Sequence, residues 1–555
     1  MREVFEIASS YLSALRFYSD KGFNMERDAG CTTSVWMSFA VPQLTPLRAN
    51  DAADVCVIGA GITGLTTAYL LACSGKRVIV VDDGPIAGSV TARTSAHLTA
   101  ALDDRYYELE RLHGADGARL AAASHTEAID LIERIVFDER IECDFQRVDG
   151  YLFAPPDDPD GIGELERELE AVQRAGLTDT RLVPKGPFAS FDTGPCVVFS
   201  RQAQFHPLKY MAALAEAIQE RGGHIFTGTH IAEIETRPRT RVLTDDGIGI
   251  SADAVVVATN TPISNRVVMH TKQAAYRTYV VGMGIPRNSV PNVLAWDTLD
   301  PYHYIRVVCA PDGGRDILIV GGEDHKTGQV EDTQQCFTRL EAWTRKRFPM
   351  TTDTAYRWSG QIMEPVDELA FIGHNPMDAD NIYIATGDSG NGLTHGTLAG
   401  IVIRDLILGQ PNAWTTLYDP SRKTLGAIKD FTQENANVVA QYTDWVTGGE
   451  VSAPHEVQTG SGAVMRRGLK KIAVYRDVTG LTHQFNARCP HLGCVVRWND
   501  TEKTWDCPCH GSRFDAYGHV VNGPANVGLS PIEDDDGTLP PRRRARRKIG
   551  EHKRV

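Results

Sequence analysis

The chain is 555 residues long and carries 57 Lys and Arg against 71 Asp and Glu, a formal net charge of −14. This length predicts about three or four domains, and the acidic balance argues against a general nucleic-acid-binding protein. No apolar run approaches ~18 residues and the N-terminus lacks a secretory pattern, so we expect a cytoplasmic protein without a membrane span. Seven of the eleven cysteines are scattered without paired spacing, which is typical of a reducing compartment.

Residues 54–83 combine an apolar strand, a glycine-rich turn, an amphipathic helix and a second apolar strand. Gly59 permits the tight turn, Gly61 lets the backbone approach a pyrophosphate, and Gly64 lets helix and strand pack closely. The helix N-terminus offers free N–H groups to that phosphate. Asp82 follows at the spacing of a carboxylate that accepts hydrogen bonds from ribose. The segment therefore predicts a dinucleotide site.

The first motif fits NAD as well as FAD, and later segments distinguish the two. Residues 253–260 predict a strand that returns beside the dinucleotide, and residues 381–400 predict another strand, a glycine-rich loop and a helix start. The small, polar stretch 88–100 suits a loop under a flavin ring. Dinucleotide-facing loops more than 300 residues apart indicate FAD extended between a first and a last βα unit.

On these motifs, residues 50–410 or so resemble the D-amino-acid-oxidase-like flavoproteins, the group of glycine oxidase, sarcosine oxidase and γ-glutamylputrescine oxidase. Some members attach FAD to a histidine in the loop after the second strand. Thr94 occupies that place here, so we expect a non-covalently bound flavin, with nearby His97 as the alternative attachment point. The resemblance implies FAD contacts at Gly59, Gly61, Gly64, Asp82, Thr94, Ser95, Gly387, Gly390, Gly392 and Thr394.

Members of this family also hold the substrate carboxylate with an arginine in a G-x-R-P segment before the last FAD loop. Gln361 stands in that place, and a neutral amide cannot form a bidentate ionic clamp, which disfavours a simple α-amino acid. Arg306, His303 and Tyr304 are candidate replacements on a predicted strand over the flavin. Their alternative interpretation, as ordinary strand residues, is about as well supported.

Two short boxes near the C-terminus read Cys-Pro-His-Leu-Gly-Cys from residue 489 and Cys-Pro-Cys-His-Gly-Ser from residue 507. Paired Cys and His suit a [2Fe-2S] cluster with two Cys on one iron and two His on the other. Zinc is the alternative metal. A spacing of one residue between Cys and His is not that of zinc fingers, and zinc would leave the extra Cys pair without a use.

Residues 450–533 resemble the Rieske domains of cytochrome bc-type complexes, including the Gly-Pro-Ala turn at 523–525. High-potential members have a tyrosine two residues after the serine that matches Ser512, and here that place holds Phe514. One hydrogen bond is missing, so we expect a reduction potential below the upper end of that family. The resemblance implies cluster ligands at Cys489, His491, Cys507 and His510, and a disulfide between Cys494 and Cys509.

The predicted architecture is an α/β, doubly wound FAD-binding domain with an α+β substrate domain, followed by a small all-β Rieske domain. Residues 1–24 are either a native segment or a stray extension before a start at Met25, and the charged tail suits a solvated terminus. The predicted parts are an N-terminal extension (1–50), the FAD-dependent oxidoreductase (51–410), a partly helical connector (411–449), the Rieske domain (450–533) and the tail (534–555). Within the oxidoreductase, the FAD segments are about 51–100, 200–262 and 356–410, and the substrate domain is about 101–199 and 263–355.

A two-electron flavin beside a one-electron cluster predicts an oxidoreductase that acts on a C–N bond of an amine or amino-acid-like compound. The cluster would pass electrons singly to an acceptor protein or a quinone. A non-catalytic redox carrier or sensor is the main alternative. A Rieske oxygenase is disfavoured, because it needs a mononuclear iron held by two His and a carboxylate, and no such closely spaced motif is evident.

Overall fold

The computed structural model describes residues 30–263, 269–310 and 314–532. The predictions for the first 24 residues and for the charged tail lie outside these ranges. Among the described helices, none is both long enough and apolar enough to cross a membrane. The α-helices are α1 Ile62–Cys73, α2 Tyr106–Asp138, α3 Gly161–Arg174, α4 Pro207–Glu220, α5 Gln334–Arg347, α6 Gly392–Leu408, α7 Thr415–Tyr418 and α8 Ile428–Gln441.

The strands form two large sheets and two small ones. The first nine are β1 Asp51–Ile58, β2 Val78–Val81, β3 His97–Leu98, β4 Gln146–Phe153, β5 Arg181–Val183, β6 Cys196–Gln204, β7 His224–Phe226, β8 Ile231–Glu235 and β9 Arg241–Thr244. The next eight are β10 Gly249–Val257, β11 Gln273–Ile285, β12 Leu294–Asp297, β13 His303–Val308, β14 Asp316–Lys326, β15 Thr354–Pro365, β16 Phe371–His374 and β17 Ile382–Thr386. The last seven are β18 Ser461–Arg467, β19 Lys470–Arg476, β20 Thr482–Asn486, β21 Arg497–Asn499, β22 Thr504–Asp506, β23 Arg513–Asp515 and β24 Val520–Asn522.

The first large sheet has the order β16-β17-β10-β1-β2-β7, with β9 paired to β10 and β8 to β9. Strands β17, β10, β1, β2 and β7 run parallel. Strand β2 is apolar at every position because helices and loops cover both faces of a parallel sheet. Helices α1 and α6 approach closely at Gly400, where a Cβ would lie 2.7 Å from Thr66 Cγ2. This sheet confirms the predicted doubly wound α/β domain.

The second large sheet has the order β15-β11-β14-β13-β12-β4-β6-β3, with β5 beside β6. The two predicted insertions meet in it, because β4 pairs in parallel with β12 through Tyr151 and Ala295. The first insertion was expected to be rich in helix, and it does hold α2 and α3. It also contributes β4, β5 and part of β6, and the pairing of β4 with β12 in the second insertion is one that no local pattern indicates.

The C-terminal region folds into two small antiparallel sheets, β18-β19-β20 and β21-β22-β23-β24. Both sheets contribute to one buried core, which includes Phe485 of the first sheet, Trp505 and Phe514 of the second, and cysteines of the two Cys/His boxes. This arrangement confirms the predicted small all-β domain.

Residues 30–50, predicted only as an extension, join the two halves of the molecule. The Cys31 N–H donates to the Glu502 carbonyl at 3.1 Å, and the Thr32 hydroxyl donates to a Glu502 carboxylate oxygen at 2.6 Å. Trp36 is 1% exposed and its indole N–H donates to the Thr94 carbonyl at 2.7 Å. The segment therefore lies between the flavin loop and the C-terminal domain.

Glu502 is the centre of a buried ionic cluster at this boundary. Its carboxylate lies 3.4 Å from the Arg277 guanidinium and 3.7 Å from that of Arg93, and it accepts a hydrogen bond from the Ser359 hydroxyl. Burial opposes the ionisation of Glu502, but the guanidiniums of Arg93 and Arg277 outweigh it and hold the pKa of this carboxyl below its usual value. The two domains are thus fastened by charges that water does not reach.

Candidate functional site

The glycine turn between β1 and α1 has the geometry of a phosphate-binding turn. Gly59 has φ +110°, and a Cβ there would overlap the Ala258 carbonyl. A Cβ at Gly64 would overlap the Gly59 carbonyl, so this glycine permits the close packing of helix on strand. Helix α1 begins at Ile62, whose N–H donates to the Thr91 hydroxyl at 3.2 Å. The N-terminal amides of α1 accordingly point toward this turn.

Asp82 ends the second strand beside the turn. Its carboxylate accepts hydrogen bonds from the Ala60 N–H at 2.6 Å and the Gly84 N–H at 2.8 Å. Burial, with a contribution from neighbouring Asp83, raises the pKa of Asp82 to about 7. The carboxylate is therefore fixed in orientation by the backbone of the turn.

The second glycine loop lies between β17 and α6. Gly387 and Gly390 have φ +74° and +70°, a region that favours glycine, and α6 begins at Gly392. The buried Thr394 hydroxyl donates to the Asn391 carbonyl at 3.0 Å and so supports the first turn of the helix.

One cavity of about 270 Å³ connects both loops. Two buried polar atoms on its wall, Gln361 Oε1 and His395 Nε2, have no hydrogen-bond partner among the described residues, as expected where a bound group completes the site. Seven predicted FAD residues line the cavity: Gly59, Gly61, Asp82, Thr94, Ser95, Gly390 and Gly392. Gly64, Gly387 and Thr394 are outside the lining and shape the loops from behind.

The loop after β2 forms part of the same wall. The Thr94 hydroxyl accepts a hydrogen bond from the Ala96 N–H at 3.0 Å, so the side chain is engaged in its own turn. His97 Nδ1 lies 2.9 Å from the Ser95 hydroxyl and its Nε2 lies 3.3 Å from the Ile305 carbonyl. Burial lowers the pKa of His97 to about 3, so this ring is neutral.

Two of the candidate substrate residues are outside the cavity lining. His303 stacks on Trp343 of α5 at 4.2 Å between ring centroids, and its Nδ1 lies 2.9 Å from the Asp297 carboxylate. Arg306 donates to the carbonyls of Ser95 and Ala96 at 3.1 and 2.6 Å. His303 thus faces the outer helix, and Arg306 braces the flavin loop from behind, so we expect neither to touch substrate.

Gln361 does line the cavity, and its side chain reaches the C-terminal domain. Its Nε2 donates to the Gly511 carbonyl at 3.0 Å. Tyr304 also lines the cavity, and its hydroxyl lies 3.0 Å from the Thr278 hydroxyl. Neighbouring Tyr302 contributes a second phenol to the wall.

Sequence reasoning missed the acidic residues of this cavity. Asp103 and Asp388 line it, and burial raises the pKa of each to about 6. Behind them, the Ser389 hydroxyl lies within hydrogen-bonding distance of the carboxyl groups of both Asp104 and Glu364, whose pKa values are also raised by burial. The available signal was the Asp-Asp pair immediately after the predicted flavin loop.

The two Cys/His boxes fold into matching loops. In the first, the Cys489 N–H donates to the Cys494 carbonyl at 2.8 Å, and Gly493 N–H returns to the Cys489 carbonyl at 3.0 Å. In the second, the Cys507 N–H donates to the Ser512 carbonyl at 2.8 Å, and Gly511 N–H returns to Cys507 at 3.1 Å. The two loops that carry the predicted ligands are therefore closed by the same pattern of backbone hydrogen bonds.

The donor set fits a mixed cluster. The buried thiols of Cys489 and Cys507 are close enough to hydrogen-bond to each other. The rings of His491 and His510 lie 5.0 Å apart between centroids on the other side of the loop pair. Cys494 and Cys509, with Cα atoms 6.4 Å apart, form the disulfide that the resemblance implies. Two thiolates and two imidazoles are the ligands of a Rieske [2Fe-2S] centre.

The surroundings of the cluster loops hold two of the residues singled out in the sequence. The Ser512 hydroxyl hydrogen-bonds to the Cys489 sulfur and accepts the Ala525 N–H at 3.0 Å. Phe514 is fully buried in the same apolar core as the predicted ligands Cys489 and Cys507.

These two sites define a flavin-dependent oxidoreductase joined to an iron–sulfur domain. The chain belongs to the DAO family of FAD dependent oxidoreductases, whose family model matches residues 54–406, and residues 448–533 match the Rieske [2Fe-2S] domain. Both resemblances and both predicted cofactors, FAD and the [2Fe-2S] cluster, are thereby confirmed.

Three known proteins illustrate the similarity. The chain is 30% identical over 501 residues to the protein of Bacillus subtilis named Rieske 2Fe-2S iron-sulfur protein YhfW, covering 89% of this chain and 96% of that one. It is 25% identical over 378 residues to gamma-glutamylputrescine oxidoreductase of Escherichia coli, covering 65% and 85%. The structure of glycine oxidase from Geobacillus kaustophilus superposes with a TM-score of 0.57 at 18% identity, covering 67% and 100%.

Proposed function

We propose that this enzyme oxidises a C–N bond of an amine or amino-acid-like compound and delivers the electrons singly, through the Rieske domain, to a one-electron acceptor. The substrate loses a hydride from the carbon next to nitrogen and a proton from the nitrogen, which leaves an imine. Bound FAD supplies the two-electron oxidant, and the cluster supplies one-electron transfer.

The contact between Gln361 and Gly511 carries this proposal. Gln361 belongs to the cavity wall, and Gly511 follows the predicted cluster ligand His510. A Cβ at Gly511 would overlap both Gln361 and Ala275, so this glycine lets the cluster loop lie directly on the wall. The arrangement supports electron transfer within one chain, without a shuttle between the two sites.

The outer edge of the cluster region supports transfer to an external acceptor. His491 is half-buried, and the adjacent Leu492 is 37% exposed. A ligand near the surface offers a short path to a second molecule, whereas His510 is buried and directly precedes Gly511, which contacts the cavity wall. The acceptor remains identified by chemistry alone, as a protein centre or quinone that takes one electron at a time.

The chain's own residues have three expected roles in this reaction. The glycine turn and the amides of α1 hold the pyrophosphate, and Asp82 accepts hydrogen bonds from ribose. Tyr302 and Tyr304 cover the cavity and exclude water from the reacting carbon. Hydride transfer next to nitrogen depends on positioning and on an unprotonated amine more than on a strong base.

Anaerobic mixing of the holoenzyme with candidate amines tests the proposal. We expect the flavin absorbance to bleach, followed by an EPR signal of low average g from the reduced cluster. In Cys507→Ser, which removes a ligand, the flavin should still bleach and the EPR signal should be absent. Bleaching without cluster reduction in the wild type would contradict the internal route. Absence of bleaching with every amine would favour a redox carrier or sensor.

A further inference from the structure

The cavity lining contains several hydrogen-bond acceptors. Asp103, Asp388 and the Gln361 side-chain carbonyl all contribute to it. Among the described lining residues, Arg93 is the one with a permanently cationic side chain. Its guanidinium donates to the Gly30 carbonyl at 2.8 Å and lies beside buried Glu502, so its charge is compensated at the domain boundary, while its Nε has no hydrogen-bond partner among the described residues. No counter-charge for a substrate carboxylate is evident in this described lining.

The Asp103 carboxylate has a place made for it. A Cβ at Gly390, in the last FAD loop, would overlap an Asp103 carboxylate oxygen, so any residue other than glycine at this position would displace the carboxylate. The Tyr302 hydroxyl donates to the same oxygen at 3.3 Å and orients it. Asp103 is therefore held at the loop that the family uses around its flavin, on the wall shared with Gln361.

Gln361 is an independent indication of a ligand with N–H groups. The residue is 3% exposed, and its Nε2 is committed to the Gly511 carbonyl. This leaves Oε1 buried at the cavity wall with no hydrogen-bond partner among the described residues. A buried carbonyl without a donor is costly, and a bound ammonium or amine N–H would satisfy it.

Aromatic rings complete the same wall. Tyr302 and Tyr304 lie 5.9 Å apart between ring centroids, and Trp296 is a further lining residue. Gly321 gives Tyr304 its space, because a Cβ there would overlap the phenol ring. Aromatic faces beside carboxylates attract cations, and the Tyr302 hydroxyl is already donated to Asp103.

We propose that this cavity selects a compound that enters as an ammonium ion and whose reacting carbon bears no carboxylate, and that Asp103 determines this selectivity by binding the ammonium group. The bound ammonium passes one proton to the Asp103 carboxylate, which leaves the unprotonated amine that hydride transfer requires. The inference deepens the proposed function and rests on it, since it names the class of compound that this site oxidises. An α-carboxylate beside Asp103 and Asp388 would meet like charge, which costs binding energy.

The test uses matched pairs that differ by one carboxylate on the reacting carbon, butylamine against norvaline and benzylamine against phenylglycine. In full-length holoenzyme under anaerobic conditions, we expect the amines to bleach the flavin at least about tenfold faster than their carboxylated partners. A second readout is binding of tetramethylammonium, which cannot form an imine by loss of an N–H, followed as a shift in the flavin absorption spectrum. Asp103→Asn should weaken that binding at least about tenfold.

Asp116→Asn is the matched control, because the Asp116 side chain is 85% exposed on α2 and should leave both readouts unchanged. Bleaching by norvaline or phenylglycine as fast as by its own amine partner, or unchanged tetramethylammonium binding in Asp103→Asn, would overturn the inference. The wild-type comparison of matched pairs decides it even if the variant fails to fold. If no amine bleaches the flavin, the proposed function fails, whereas loss of tetramethylammonium binding in the variant would still support the cation site.

Discussion

The cluster site and the flavin cavity are built in opposite ways. The cluster loops lie within residues 489–512, and each is closed by its own backbone hydrogen bonds. The flavin cavity draws its lining from Ile58 at one extreme to Asn526 at the other. A local site keeps its geometry when the rest of the chain changes, whereas a cavity assembled from distant segments depends on every element that bounds it.

The strongest way to separate the two sites is Gly61→Val. The backbone at Gly61 is extended, and a Cβ there would meet Thr91 Oγ1 at 3.2 Å, a tight contact that a shift of the Thr91 side chain by a few tenths of an ångström would relieve. The valine side chain would also occupy the place of the pyrophosphate, so we expect the purified variant to lose nearly all bound flavin while retaining its cluster signal. Flavin and iron per chain are the measurements.

Gly163→Ala on α3 is the control for this substitution, because a Cβ there meets nothing within 4 Å. It should keep both cofactors at wild-type ratios. Simultaneous loss of flavin and cluster from Gly61→Val would show that the local site depends on the distributed one after all.

Glu502→Gln addresses the boundary between the two regions. Removing one partner of a buried ion pair leaves Arg93 and Arg277 uncompensated, so we expect the free energy of unfolding to fall by about 3 kcal/mol. Because the folded-state pKa of Glu502 is depressed, its contribution is present above the unfolded-state pKa and is lost as pH falls. The difference in the free energy of unfolding between variant and wild type should therefore become smaller below about pH 4.

Denaturant unfolding across that pH range is the measurement. Asp253→Asn provides a comparison at an exposed ion pair, whose side chains are 65% and 68% accessible to solvent, and should change stability by less than about 1 kcal/mol. A Glu502→Gln variant as stable as Asp253→Asn would mean that the boundary is held by other contacts.

Phe514→Tyr is the mildest change and acts within the local site. Phe514 is buried in the same core as the predicted cysteine ligands, and we expect a hydroxyl there to add a hydrogen bond at the cluster's sulfur side. Such donors stabilise the more negative, reduced cluster, so the reduction potential should rise by roughly tens of millivolts. A redox titration followed by EPR measures the shift. An unchanged midpoint, with the hydroxyl directed away from the sulfurs, would contradict this assignment.

The same contrast explains what could be predicted from the sequence. Both Cys/His boxes and the glycine turn are contiguous, so spacing alone indicates their chemistry. The roles of Asp103 and Glu502 could not be predicted in this way. Asp103 meets Gly390 across more than 280 residues and Glu502 meets Arg277 across 225, and each is an ordinary acidic residue in its local context.

Strand alternation gave a partial answer for the substrate side. It places Tyr304 and Arg306 on one face of β13 and His303 on the other, so all three could not face the same cavity. The pattern does not say which face is inner, nor that Arg306 would reach past the cavity to the loop behind it. Those facts depend on the pairing of β13 with β12 and β14 and on the packing of α5.

The contacts of Glu502 with residues far earlier in the chain have a consequence for biosynthesis. Thr32 and Arg93 are made early, and their shared partner is 470 residues after Thr32. Until the ribosome has delivered residue 502, the flavin-binding half contains two arginines destined for burial without their counter-charge. The C-terminal domain therefore supplies the counter-charge that the flavin-binding part needs for its buried arginines. A chain terminated before this domain would carry that charge imbalance permanently.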